Sequence, residues 1–185
     1  MARRTGFTLV ELLITVLIGG MLLAMAAQVI TTHIRITSRQ EVLQRLRDHW
    51  GRVNHLINTE ALEGTVIERS QAMENCAGGG SSILTIRLSD PDQTPIHYYQ
   101  YTNTNDLWRC GPEVRMSGHL NLGNTVSGLV APNATLTIPE GEPLAGGHEL
   151  AYELTLTGKN NQQGEAYSAR SIAKSSGRTY SSRSF

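Results

Sequence analysis

The chain has 185 residues, with 16 Lys and Arg balancing 16 Asp and Glu, 39% hydrophobic residues, 18 Gly and 6 Pro. The length suits one ordinary domain with an appendage, the composition excludes a collagenous or Pro-rich disordered chain, and the zero net charge excludes a uniformly basic nucleic-acid binder. Neither average is evenly spread: residues 1–60 carry +3, residues 61–150 carry −6 and residues 151–185 carry +3, while 20 of the 30 residues from Phe7 to Ile36 are hydrophobic.

From Phe7 to Ile30 the 24 residues would extend about 36 Å as an α-helix, enough to cross a hydrocarbon core of about 30 Å. Arg3 and Arg4 before the run favour a cytoplasmic N-terminus, although Arg35 and Arg39 follow it. Glu11 is the anomaly, because a carboxylate at the bilayer centre costs about 2.5–3.5 kcal/mol and needs a partner or an interfacial position. An ordinary signal peptide is the alternative: Arg3 and Arg4 as the basic region, Leu12 to Leu23 as the apolar region, and cleavage after Ala26 in Ala24-Met25-Ala26. Against it stand Glu11 at the start of the apolar region and a helical pattern that runs past the cut. Ile34, Val42, Leu43, Leu46, Trp50, Val53, Leu56 and Ile57 continue it as a stripe at spacings of three and four. No Pro precedes Pro91, so one helix is expected from Phe7 to Asn58. At about 78 Å it is too long for a compact domain, so its first half is expected to project and its second half to pack on a globular body.

Gly6-Phe7-Thr8-Leu9-Val10-Glu11, behind a six-residue leader with two Arg and ahead of a long apolar helix, resembles the N-terminus of type IV pilins and type II secretion pseudopilins. The resemblance covers roughly the first 55 residues. It implies cleavage between Gly6 and Phe7 by a prepilin peptidase on the cytoplasmic side, N-methylation of Phe7, and pairing of Glu11 with the N-terminal amine of a neighbouring subunit. The partners implied are other pilin subunits, an inner-membrane assembly platform and, before assembly, membrane lipid. The place implied is the bacterial inner membrane, single pass with the N-terminus cytoplasmic and the head periplasmic, and then a pilus or pseudopilus. Many major pilins have a Pro midway along this helix; here the stretch reads Ala27-Gln28-Val29, with Gly19-Gly20 as its weak point, which points away from an abundant major pilin.

Beyond the helix, Glu63 to Ser82 reads as a loop ending in the Gly78-Gly79-Gly80 run; no Lys-Ser/Thr follows, so it is not a phosphate-binding loop. Ile83 to Leu88 alternates as a strand, Ser89 to Pro95 turns, Ile96 to Tyr101 is β-prone, Thr102 to Asp106 turns again, and Leu107 to Cys110 returns, giving a three-stranded antiparallel meander. Ala134 to Ile138 is a further short strand, and Glu149 to Thr157 with Glu165 to Ala173 form a closing hairpin around Gly158 to Gly164. The sheet is expected to lie on Leu46, Trp50, Val53 and Ile57, an α+β, pilin-like arrangement. Tyr98-Tyr99-Gln100-Tyr101 followed by Leu107-Trp108-Arg109 also resembles strands of the larger minor pilins and of J-type minor pseudopilins. The expected organisation is a leader at 1–6, a transmembrane and filament-core helix at 7–30, its amphipathic continuation at 31–62, a β-rich head at 63–175 and a basic, Ser-rich tail at 176–185.

Cys76 and Cys110 are the only cysteines. In an exported domain they are most simply a disulfide, the alternative being two separately buried thiols; neither has the neighbours of a zinc site. The six histidines, His33, His49, His55, His97, His119 and His148, make no metal motif and read as surface or helix-flank residues. Asp90 and Asp92 are explained as a polar turn without calcium. No nucleophile elbow or Ser-x-x-Lys motif appears, so no catalytic residue, metal or cofactor is assigned. The stretch from Tyr167 to Phe185 holds seven Ser and four bases with no acid; it reads as a last strand with a solvated end, against the alternative of a strip for DNA phosphates or an acidic neighbour. The expected function is a structural subunit, a minor pilin of a type IV filament. Its rivals are a minor pseudopilin and, in another class, a secreted binding domain released after Ala26.

Overall fold

The structure is a computed structural model that describes residues 8–73, 76, 82–89, 93–101, 104–114, 120–141, 147–158 and 165–177. Gly6, Phe7, His119, the Asp90–Asp92 turn, the 77–80 Gly run and the tail beyond residue 177 lie outside the described residues.

A single helix, α1, spans Leu9–Glu63. It starts on Thr8, whose carbonyl accepts from Glu11 N at 3.1 Å and Leu12 N at 3.2 Å and whose Oγ1 accepts from Glu11 N at 3.4 Å. Thr8 thus takes the N-cap place, with Glu11 three residues on, where a carboxylate meets the positive end of the helix dipole. Gly19 and Gly20 cost propensity but leave the helix unbroken. It stops at Gly64, whose N–H donates to Ala61 O at 3.0 Å and Glu60 O at 3.2 Å. The position requires glycine for lack of space: a Cβ there would sit 2.3 Å from Ile86 Cγ2 and 3.1 Å from Arg87 O.

The chain divides into two units, Met1–Val42 and Leu43–Phe185. In the second, the end of α1 is followed by eight strands: β1 (Val66–Arg69), β2 (Leu84–Arg87), β3 (Ile96–Gln100), β4 (Leu107–Val114), β5 (Leu120–Ala131), β6 (Ala134–Thr137), β7 (Glu149–Thr157) and β8 (Ala166–Lys174). They form two antiparallel sheets, β1-β2-β3-β4-β5 and β6-β7-β8, where a single sheet was expected. The switch is made at Pro132-Asn133: Asn133 adopts φ +50°, and its N–H donates to Asp106 Oδ1 at 2.8 Å. Gln100 Nε2 then donates across the junction to Ala134 O at 2.8 Å.

The expected meander is present as β2, β3 and β4, and the closing hairpin as β7 and β8. Two strands depart from expectation. β1 lies in a stretch read as loop, because it is four residues long and ends at Ser70 with φ +56°. β5 escaped notice because Gly123, Asn124, Ser127 and Gly128 break the apolar alternation that marks a half-buried strand. β4 also continues past Cys110 to Val114 despite Pro112, and the ladder shifts register between Pro112 and Glu113, the kind of irregularity at which a residue without an N–H is tolerated.

The core is apolar and close-packed: Ile57, Leu84, Ile86, Ile96, Leu107, Leu154 and Leu156 are all buried, each contributing about 1.5–3 kcal/mol by burial. Of the expected helix stripe, Leu46, Val53 and Ile57 are buried; Trp50 is half-buried, and its indole Nε1 donates to Leu154 O at 3.0 Å. Trp50 meets Tyr167 edge-on with ring centroids 6.0 Å apart, and the Arg47 guanidinium lies 5.5 Å from the centre of that ring.

Candidate functional site

Within the first unit, the apolar side chains from Leu9 to Ile36 are exposed, including Leu12 and Leu13 at 59% and Leu23 at 75%. A surface of this kind needs either lipid or other apolar helices against it. The polar side chains of the segment are arranged to tolerate that. Thr15 Oγ1 donates to Leu12 O at 2.9 Å, Thr31 Oγ1 to Gln28 O at 3.0 Å, and Thr32 Oγ1 to Gln28 O at 2.8 Å. Each hydroxyl proton is used within the helix, which removes most of the cost of placing it in hydrocarbon.

Glu11 sits in the first turn of this helix, and none of the described residues forms an ion pair with it. Backbone dipole and capping geometry suit a negative charge there, but they do not supply a counter-charge in a non-aqueous setting. The segment presents a single acid in the first turn of an apolar helix, without an ion-pair partner among the described residues.

Among the described residues of the head, two polar clusters are buried, centred on Glu60 and on His97. In the first, Glu60, 3% exposed, accepts from Tyr98 Oη at 2.5 Å and from Arg109 Nε at 2.7 Å, while Arg109 Nη2 donates to Pro112 O at 2.8 Å. Burial pushes the Glu60 carboxyl above its ordinary range, with the Arg109 charge and the Tyr98 hydrogen bond pulling the other way. Burial and the Glu60 charge raise the Tyr98 phenol well above its usual value. Tyr98 and Arg109 face each other in register across β3 and β4, so this acid clamps the end of α1 to the middle of the sheet.

In the second cluster, Ser82 Oγ lies 2.5 Å from Thr85 Oγ1, which lies 3.0 Å from His97 Nδ1. His97 is 2% exposed, which corrects its reading as a surface residue; burial, and then the Arg87 charge, hold it below the usual histidine range. Thr85, His97 and Cys110 are successive register partners, so one row across the sheet carries the hydroxyl chain and the cysteine. Cys110 is joined to Cys76 in a disulfide with Cα atoms 6.0 Å apart. The bridge holds the β1–β2 connection to β4 beside the hydroxyl chain, and it decides between the two readings of the cysteines in favour of the bond.

Of the other histidines, His33 and His55 are exposed and His49 half-buried, and His148 is exposed, with Nδ1 3.1 Å from Thr65 O and 3.0 Å from Ser175 Oγ. Among the described residues no three of His, Cys, Asp and Glu converge as metal ligands would. Both described bases in the closing stretch have partners: Lys174 Nζ is 2.8 Å from Glu149 Oε1, and Arg170 Nε is 3.6 Å from Glu153 Oε2.

Sequence reasoning missed Glu60 and Arg109. Glu60 follows Val53 and Ile57 on the helix stripe at the position expected to be apolar, and that displacement was the only local signal.

Residues 1–27 match the family described as Prokaryotic N-terminal methylation motif. No curated protein and no solved structure matches the chain. The matched segment is a prepilin-type N-terminus of the kind carried by type IV pilins and pseudopilins; it fits membrane anchoring and points to a structural subunit rather than an enzyme.

Proposed function

We propose that this chain, entering the membrane with a prepilin-type N-terminus, is a minor pilin: a structural subunit of a type IV pilus-like filament. The observation that carries the reading is Glu11, set within the matched segment at the first turn of an apolar helix whose side chains are exposed and whose hydroxyls are internally satisfied. A prepilin peptidase cuts between Gly6 and Phe7, and the new amine of Phe7 is methylated. The helix is held in the inner membrane by lipid, with the N-terminus cytoplasmic and the head periplasmic, until an assembly platform moves it into the filament. There Glu11 of one subunit meets the Phe7 amine of a neighbour. Among apolar helices the unpaired acid is costly, so the pair selects the axial register in which both charges are neutralised.

The rival within the same class is a minor pseudopilin of a type II secretion system. The Tyr98–Tyr101 and Leu107–Arg109 segments, which pair through β3 and β4, resemble J-type minor pseudopilins as well as the larger minor pilins. Both readings share the chemistry of Glu11.

Glu11→Ala tests that chemistry. Removing one partner of a desolvated ion pair costs about 3–5 kcal/mol, so incorporation into filaments is expected to fall at least about tenfold. The variant chain remains membrane-bound with its Cys76–Cys110 bond formed. Filaments carrying the variant at the normal level contradict the pairing role.

A further inference from the structure

At the outer end of the exposed apolar segment, the polar residues of α1 gather on one side. Gln28, Thr31, Thr32, Arg35, Ser38 and Arg39 follow one another at spacings of three and four, which places them within about one-third of the helix circumference. Val29, Ile30, Ile34 and Ile36, all exposed, lie outside that arc. The hydroxyls of the stripe are turned inward: Thr31 and Thr32 donate to Gln28 O, and Ser38 Oγ donates to Arg35 O at 2.9 Å. Its charge is carried by two exposed guanidinium groups, those of Arg35 and Arg39.

Arg35 and Arg39 lie about 36 and 42 Å beyond Glu11 along the helix axis. With Glu11 at the cytoplasmic boundary, that distance brings both to the opposite headgroup layer of a bilayer about 40–45 Å thick. No Lys or Arg occurs from Phe7 to Ile34, so once the leader is cut every base flanking the apolar run is on its outer side. Orientation in the membrane does not account for them there, because the charge rule places flanking bases on the inner side. The residue type is informative too: every base before Lys159 is Arg. Arg grips phosphate oxygens with a two-pronged fork, whereas Lys acts as a point charge.

We propose that Arg35 and Arg39 form a binding site for the phosphate of an anionic phospholipid in the periplasmic leaflet of the inner membrane. The proposal rests on the membrane-anchored reading above, with the N-terminus cytoplasmic. The two residues are about 6 Å apart along the axis, so both forks reach one headgroup. Their stems lie along apolar surface while the charged ends meet the phosphate. Depth selects lipid over dissolved phosphate. The stripe begins at Gln28, about 26 Å beyond Glu11 and level with acyl chains, and the exposed Val29, Ile30, Ile34 and Ile36 need apolar cover beside the charges. A phospholipid supplies the anion and the apolar cover in one molecule. The contact sets the depth at which the helix rests, and it is given up when the helix leaves lipid for the filament.

The test titrates the full-length chain, purified from membranes in detergent, with phosphatidylglycerol and reads bound lipid by native mass spectrometry. Arg35→Gln with Arg39→Gln is expected to need about tenfold more lipid than the wild type for the same occupancy. Gln preserves helix propensity, so circular dichroism and the disulfide should be unchanged in this variant. Arg35→Lys with Arg39→Lys keeps the charge without the fork and is expected to bind more tightly than the Gln pair and more weakly than the wild type. Arg170→Gln with Lys174→Gln removes the same charge from the head and is expected to bind as the wild type does. Inorganic phosphate is expected to leave the bound lipid in place. Equal occupancy in the wild type and the Arg35→Gln, Arg39→Gln chain, an equal loss in the head variant, or displacement by inorganic phosphate each overturn the proposal. The two readings fail separately. A mature chain beginning at Ala27 removes the membrane anchor, whereas one beginning at Phe7 whose lipid binding ignores Arg35 and Arg39 removes only the lipid site.

Discussion

At Glu60, two buried side chains from β3 and β4 meet around one carboxylate of α1. Taking it away leaves the Arg109 guanidinium, 8% exposed, with Pro112 O as its remaining hydrogen-bond acceptor among the contacts described here and the Tyr98 hydroxyl without its acceptor. Glu60→Ala is therefore expected to destabilise the head by about 3–5 kcal/mol, as breaking a buried pair does. Urea unfolding of the detergent-solubilised full chain, followed by Trp fluorescence, measures this; a loss below about 1 kcal/mol would place the pair among ordinary surface salt bridges. Glu11 and Glu60 show what a sequence discloses at this scale. Glu11 was legible because its anomaly is local, an acid beside an apolar run. Glu60 was not, because the cation that justifies its burial lies 49 residues away in sequence. His97 was misread for the same reason: its partner Thr85 is on another strand.

Elements were legible where periodicity is strong and neighbours are near in sequence. The helix, the β2–β3–β4 meander and the β7–β8 hairpin follow from stripe, alternation and turn residues. β1 and β5 do not, since each is made a strand by its partner's ladder rather than by its own side chains. The division into two sheets depends on φ +50° at Asn133 and its bond to Asp106, neither of which leaves a pattern in the sequence. The disulfide links two elements, and its worth can be stated at that scale. Closing a loop of 34 positions confines the unfolded chain, worth about 4 kcal/mol in the loop-entropy model. Cys76→Ser with Cys110→Ser is expected to lower head stability by about that amount, and the wild-type chain should lose a similar amount on reduction. Unfolding midpoints with and without dithiothreitol measure this, and a reductant-insensitive midpoint would count against the bond.

The whole molecule joins a segment made for apolar surroundings to a head with its own core, and its zero net charge conceals how the two differ. If the leader is removed after Gly6, Arg3 and Arg4 leave with it, and side-chain charge becomes 14 − 16 = −2. On the proposed function, the amine created at Phe7 is then the cation offered to Glu11 of a neighbouring subunit. Sequence alone carried the membrane segment and the processing motif, because both are contiguous; the order of strands in the head emerged only from the structure. The most direct measurement is mass spectrometry of the mature N-terminus of the chain isolated from its own cell envelope. A first peptide beginning at N-methylated Phe7 is the result predicted; one beginning at Ala27 would contradict it and leave a secreted domain in place of a filament subunit.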